Sequence, residues 1–326
     1  MVRCEDITVV LTCDDNYVRH ASATIASIVA NSQRKFSFYI FDCGISGPNL
    51  DRIQSMDVLQ KGQHALHVVK PPKQRCFEAF PLPAHFSPAI FYRVCIPEVL
   101  CDQEKVIYLD SDIIVEGDLG ELWDQPLENH WLGAVYMDDN FIQHVQLRKF
   151  KTNLGLEESK RYFNSGVMLM NLAVMRNERV LYQVLDFLHK NPNMQLSCPE
   201  QDILNLIVDR SNIFELAPKY NFTPFSPLAK KTARLGKPVC IHFTVHKPWD
   251  FPLFVVKLLK RTYAFQLLHL YYVYAQLTPW ANIPCETARF SKVVKFVYKS
   301  FMQPIERFVR FSVRDRIKNH IFNVNN

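Results

Sequence analysis

From Val106 to Val115 the chain reads Val-Ile-Tyr-Leu-Asp-Ser-Asp-Ile-Ile-Val, an apolar and largely β-branched run broken at one place by two carboxylates. Strand side chains alternate between the two faces of a sheet, and here both sets are apolar. Such a run therefore belongs inside a sheet that is covered on both sides. The strand Lys105–Leu109 then delivers Asp110-Ser111-Asp112 at its carboxyl end, the edge where open α/β sheets collect ligands. If strand geometry persists through Asp112, the two carboxylates point the same way. Two hard oxygen ligands on one side suit Mn²⁺ or Mg²⁺. The bland alternative is a solvated acidic turn.

Strand and helix signals alternate from the first residues. Ile7–Leu11 reads as a buried strand ending in the polar loop Thr12-Cys13-Asp14-Asp15-Asn16. After it, Val18, Ala21, Ile25, Ile28 and Val29 fall on one helical face. Phe36–Phe41 and Ala65–Val69 read as strands, with a helix over Asn49–Leu59 between them. Pro71–Pro88 reads as a long loop and Ala89–Leu100 as a helix. Trp131–Val135, Phe163–Asn171 and Val239–Phe243 read as strands, and Val174–Leu188 and Glu200–Val208 as helices. This pattern predicts an α/β fold with a mostly parallel central sheet covered on both faces. Haloacid-dehalogenase-like phosphatases also end a strand in D-x-D, but near the start of their core. About a hundred residues of α/β pattern precede Asp110 here, which counts against that chemistry.

A chain of 326 residues accommodates one large domain with an appendage, placed at 1–250 and 251–326. Its nine cysteines show no C-x-x-C spacing, which disfavours a structural zinc or a disulfide framework and fits reduced thiols. No signal-peptide core follows Met1, so a cytoplasmic protein is expected. The net charge of +6 is carried wholly from Glu286 onward, where nine Lys and Arg face three acids. There Phe290, Val293, Val294, Val297, Tyr298 and Phe301 recur at helical spacing with Lys292, Lys295 and Lys299 off that face. This reads as a helical, basic amphipathic segment that docks on an anionic membrane surface, peripheral on the inner face of the cytoplasmic membrane. Thr262–Trp280 lacks charged residues yet holds Gln266, His269 and Gln276, so a buried or interfacial helix fits better than a span. No nucleic-acid partner is expected.

Six short segments occur in order: Thr12-Cys13-Asp14-Asp15-Asn16-Tyr17, Phe91-Tyr92-Arg93, Tyr108-Leu109-Asp110-Ser111-Asp112, Phe163-Asn164-Ser165-Gly166-Val167, Glu200-Gln201-Asp202-Ile203-Leu204-Asn205 and His242-Phe243-Thr244 with Lys247-Pro248-Trp249. Together they resemble glycosyltransferase family 8, which contains bacterial lipopolysaccharide glucosyl- and galactosyltransferases and, more distantly, glycogenin. The resemblance covers roughly residues 7–250. It implies a GT-A-type domain, with a mixed, mostly parallel central sheet, that moves glucose or galactose from a UDP-sugar to a lipopolysaccharide-core or other glycan or lipid-linked acceptor, with a metal and with retained configuration. Position by position, it implies that Thr12, Asp14 and Asn16 hold uracil and ribose and that Arg93 contacts the donor. Asp110, Asp112 and His242 would bind Mn²⁺ or Mg²⁺, and Lys247 would neutralise the diphosphate. Asn164 and Ser165 would line the donor sugar, Glu200 would grip its hydroxyls, and Gln201 would lie beneath the anomeric carbon. Asp138 or Asp139 would face the acceptor.

Plainer roles remain open for several of these: a helix N-cap for Asp14 or Asn16, an exposed ion pair for Arg93, a core histidine for His242, a solvated Lys247. Two departures stand out. The family more usually has Asp where Glu200 stands, and it often carries a Gly and one more residue where Val245 and His246 precede Lys247. A soluble glycogenin-like transferase and a non-catalytic UDP-sugar-binding protein are the competing readings.

Overall fold

The computed structural model describes residues 6–62, 64–83, 87–137, 161–224, 229, 236–244, 246–251, 253–259, 262–281 and 283. Asp138, Asp139 and the basic segment after Glu286 lie outside these residues. The chain parts into two compact units, one of residues 1–245 with 270–282 and the other of 246–269 with 283–326.

The first unit is built on seven strands: β1 (Ile7–Cys13), β2 (Phe36–Asp42), β3 (Ala65–Val69), β4 (Lys105–Leu109), β6 (Leu132–Tyr136), β7 (Phe163–Asn171) and β8 (Ile213–Glu215), in the order β3-β2-β1-β4-β7-β6-β8. A separate antiparallel pair joins β5 (Ile113–Val115) to β9 (Cys240–His242). In the large sheet β3-β2, β2-β1, β1-β4 and β6-β8 are parallel, and β7 runs antiparallel to both of its neighbours. The mixed, mostly parallel sheet is therefore as the sequence predicts.

Two apolar cores cover its faces, and the alternation that specifies them is legible in β4. Val106 and Tyr108 enter the core that holds Phe77, Phe91 and Phe163. Ile107 and Leu109 enter the opposite one, with Ile25, Ile28 and Phe36. All four are fully buried, each contributing about 1.5–3 kcal/mol of apolar burial. The helix Val18–Ala30 packs on the second face and also serves β5. Its buried Thr24 donates to the Ile113 carbonyl (2.7 Å), and Ser27 Oγ accepts from the Val115 N–H (2.9 Å). These two hydroxyls are the polar price of a buried strand with one side unladdered.

Several expected elements are divided. Asn49–Leu59 is two helices, Gly47–Gln54 and Asp57–Gly62, because the chain turns at Ser55 to bury Met56. Val174–Leu188 is likewise Leu172–Asn177 and Val180–Lys190, parted at Arg179, whose φ of 56° cannot continue a right-handed helix. Ala89–Leu100 is a 3₁₀ run, Pro88–Cys95, leading into a short helix Ile96–Val99 that opens on Pro97. The expected loop Pro71–Pro88 carries a helix, Arg75–Ala79. Thr262–Trp280 contains the thirteen-residue helix Tyr263–Ala275. Among the described residues no helix is long and apolar enough to cross a membrane.

Candidate active site

β1 leads away to β2 on one side, while β4 lies on its other side. The carboxyl ends of β1 and β4 thus flank a point where the strand order reverses. Thr12 and Asp110 stand there. The extended geometry does not persist through Asp112: β4 ends at Leu109 and Asp110-Ser111-Asp112 forms a turn into β5. Alternation is therefore not what gathers the carboxylates. The turn does so, anchored by Asp110 N–H to the Gly166 carbonyl (2.8 Å), by Ser111 Oγ to the Thr12 carbonyl (3.2 Å) and by Phe243 N–H to the Asp112 carbonyl (3.1 Å). The β5–β9 ladder pairs Ile113 with His242 and carries the imidazole to the acids.

His242 Nε2 lies 3.2 Å from Asp112 Oδ1 and 3.6 Å from Asp110 Oδ2. The three side chains offer ligand atoms that all lie within 4.8 Å of one another. Adjacent ligands of an octahedral ion bound at ~2.1 Å stand ~3 Å apart, so this donor set, two carboxylates and one imidazole, fits Mn²⁺ or Mg²⁺. Gly166 leaves the space: a Cβ there would stand 2.2 Å from His242 Cε1 and 2.8 Å from Asp110 Oδ2.

Arg93, presented by the 3₁₀ run, is buried behind this cluster. Its guanidinium meets Asp110 Oδ1 (2.9 Å), Glu200 Oε1 (3.2 Å), and both Ser165 oxygens (3.1 Å each), and it lies 4.6 Å from the centre of the Tyr108 ring. Burial alone would push its pKa down, but the carboxylates of Asp110 and Glu200 outweigh burial and raise it. Burial raises the pKa of Glu200, against the pull of Arg93. The helix Pro199–Ile207 supplies both Glu200 and Gln201. Ser165 Oγ donates to Glu200 Oε1 (2.9 Å), and Ser165 N–H donates to Gln201 Oε1 (3.0 Å). Gln201 Nε2 reaches the Tyr162 hydroxyl (2.8 Å), and that hydroxyl donates in turn to Asp202. Asp202 Oδ2 accepts the Ser197 and Cys198 N–H groups (3.0 and 2.9 Å), yet burial lifts its pKa to about 7.

The sequence model of Glycosyl transferase family 8 matches residues 8–251, three quarters of the chain. The chain belongs to glycosyltransferase family 8. It is 28% identical to general stress protein A of Bacillus subtilis over 76% of this chain and 90% of that protein. It is 27% identical to a lipopolysaccharide 1,2-glucosyltransferase of Escherichia coli over 84% of this chain and 79% of that one. Among solved structures, the galactosyltransferase LgtC in complex with donor and acceptor sugar analogues superposes with a TM-score of 0.68 at 25% identity, over 84% of this chain and 96% of LgtC. The sheet described above is thus the GT-A-type core of a family 8 glycosyltransferase.

Within this family 8 chain, the structure joins Arg93, Asp110, Asp112, Ser165, Glu200, Gln201 and His242 in one cluster. Arg93 is buried rather than an exposed ion pair, and His242, also buried, faces Asp110 and Asp112. Thr12 joins through its hydroxyl, 3.1 Å from the Tyr108 hydroxyl. Asp14 uses its carboxylate locally, accepting the Asn16 and Tyr17 N–H groups (3.0 and 3.1 Å) ahead of the helix, while Asn16 is exposed. The N-cap of that helix is Tyr17, with no side-chain cap, so Asp14 braces the turn before the helix rather than capping it. Asn164 Oδ1 is taken up by the Gly166 N–H (3.0 Å) and by Asn221 (2.7 Å). Lys247 stands in the second unit, where its carbonyl accepts the Asp250 N–H (3.0 Å) at the turn Pro248–Asp250.

Tyr108 and Asp202 lay inside the recognised motifs, and Tyr162 just before one of them, without an assigned role. The Tyr108 hydroxyl bridges Thr12 and Asp110 Oδ1 (2.8 Å). A tyrosine ending a buried strand next to an acidic pair is the signal that could have found it.

Proposed function

We propose that this glycosyltransferase moves glucose or galactose from a UDP-sugar to a glycan or lipid-linked acceptor, a lipopolysaccharide core among the candidates, with retention of configuration. The observation that carries the reading is the convergence of Asp110, Asp112 and His242 within 4.8 Å at the switch point of the sheet. LgtC, whose solved complex holds donor and acceptor sugar analogues, and the E. coli lipopolysaccharide glucosyltransferase supply the substrate classes.

Asp110, Asp112 and His242 would hold a divalent cation, Mn²⁺ or Mg²⁺, which when bound stabilises the charge that develops on the departing diphosphate. Thr12, Asp14 and Asn16 form the loop assigned to the nucleoside, with the backbone amides of Asn16 and Tyr17 already fixed by Asp14. Lys247 is assigned to the diphosphate and Asp138 or Asp139 to the acceptor.

In the reaction the bond from the anomeric carbon to phosphate oxygen breaks, and a bond to the acceptor oxygen forms on the same face. The acceptor proton leaves with UDP. Glu200 orients the donor-sugar hydroxyls, with Arg93 and Ser165 holding its carboxylate. Gln201 is a poor nucleophile and is held at both ends of its amide. It therefore serves to stabilise and orient at the anomeric carbon, and a glycosyl-enzyme on this residue is not part of the reading. The basic segment after Glu286 is assigned to an anionic membrane surface.

The test follows UDP release by the whole chain from UDP-glucose and from UDP-galactose, with Mn²⁺ and with EDTA, beside Asp112→Asn. Metal-dependent release from one donor, lost in the variant, supports the reading and identifies the sugar. Binding of UDP without turnover of either donor moves the choice to another sugar or to a non-catalytic binder. Absence of UDP binding overturns it.

A further inference from the structure

We propose that Asn221 is a positioning residue that fixes which nitrogen of His242 faces the two aspartates; the inference rests on the metal-site reading given above. Its basis is a chain of hydrogen bonds in which each link determines the next. The Gly166 backbone N–H can only donate, so the Asn164 atom 3.0 Å from it is the carbonyl oxygen. That oxygen also faces Asn221 at 2.7 Å, so Asn221 presents its NH₂ there. The other end of the Asn221 amide, its oxygen, then lies 2.9 Å from His242 Nδ1. An amide oxygen only accepts, so Nδ1 carries the proton and donates. The lone pair is left on Nε2, the atom 3.2 Å from Asp112 and 3.6 Å from Asp110.

One backbone amide thereby dictates the tautomer of an imidazole three links away. Metal-binding histidines are held in this manner by the partner of their second nitrogen. Asn221 is itself rigidly placed. It follows the turn Pro218–Tyr220, and its neighbour Phe222 bridges Ile241 and accepts the His242 N–H (2.8 Å). Both Asn221 and His242 are buried, at 8% and 3% exposure, so water cannot readily replace the amide.

The first readout is ¹⁵N NMR of the full chain labelled at histidine, with UDP and Mg²⁺, His242 being assigned by its absence in His242→Gln. A protonated Nδ1 and a bare Nε2 are expected; a proton on Nε2 overturns the proposal without any variant at Asn221. The second readout is titration of Mn²⁺ into the UDP-loaded chain. Asn221→Leu removes the acceptor and should weaken Mn²⁺ binding about 10–100-fold, with UDP affinity in the absence of metal unchanged. Equal Mn²⁺ binding by wild type and Asn221→Leu overturns the relay alone. A wild-type chain that takes up no Mn²⁺ overturns the metal site and the relay with it.

Discussion

Gly166→Ala adds a single methyl group to a residue that contacts no substrate in the reading above, and its effect follows from distances. The φ of Gly166 lies outside the left-handed region, so the backbone itself accepts alanine. The obstacle is space: the new Cβ meets His242 Cε1 at 2.2 Å, and His242 Nδ1 and Asp110 Oδ2 at 2.8 Å. Ordinary contact begins at 3.4 Å, so the imidazole must retreat by about 1.2 Å. It cannot retreat with its backbone, which is held by the β5–β9 ladder and by the Phe222 carbonyl at 2.8 Å. The ring must therefore swing.

Metal sites tolerate ligand displacements of about 0.2 Å, so the swing removes His242 as a ligand. Misplacement on the scale of 1 Å costs on the order of 10²-fold in rate, about 2.7 kcal/mol of barrier. Overpacking costs the fold about 1–3 kcal/mol, or ~1–2 °C of Tm for each kcal/mol in a chain of 326 residues. The assay is kcat/KM for metal-dependent UDP release beside a thermal melt and a Mn²⁺ titration. A large loss of turnover and Mn²⁺ affinity with a modest fall in Tm is expected. Unchanged Mn²⁺ affinity and turnover in Gly166→Ala would refute the packing argument.

Three further outcomes are expected. Arg93→Met leaves Asp110 and the buried Glu200 without their shared counter-charge, so denaturant unfolding should show a loss of about 3–5 kcal/mol; a loss below about 1 kcal/mol contradicts the pairing. Tyr108→Phe deletes the hydroxyl between Thr12 and Asp110, a hydrogen bond to a charged group worth about 1.5–3 kcal/mol. The KM for the donor should rise roughly tenfold or more, and an unchanged KM separates Tyr108 from the site. Asp202 has a folded pKa of about 7 against an ordinary 3.8, so between those values the native state keeps a proton that the unfolded chain releases. Its contribution therefore destabilises the fold as pH rises through that window, by up to about 4 kcal/mol. Asp202→Asn imitates the protonated acid, so its stability relative to wild type should grow from pH 4 to 8, whereas parallel curves contradict the raised pKa.

Much of this was legible because strand burial is written in residue type. Lys105–Leu109 and Phe163–Asn171 are mostly buried strands whose expected bounds are those found in the structure. Helix interruptions were less visible, since the left-handed Arg179 and the turn at Ser55 follow from tertiary packing that single-residue propensity does not encode. Three-residue strands such as β8 fall below the length at which periodicity speaks. At the site, residue types identified the ligands but not how they meet. Asp110 and Asp112 converge through a turn, and the Asp112 turn meets His242 only because β5 pairs with a strand over a hundred residues later. Asn221 carried no local signal at all; its part arises solely from the position of Gly166 and Asn164 in space.

The most direct test of the central claim is anomalous scattering at the manganese edge from crystals of the full chain grown with UDP and Mn²⁺. The account predicts a peak bonded to Asp110, Asp112 and His242 Nε2, with the diphosphate completing the shell. UDP bound with manganese elsewhere, or with no manganese while that triad stays in place, would contradict it.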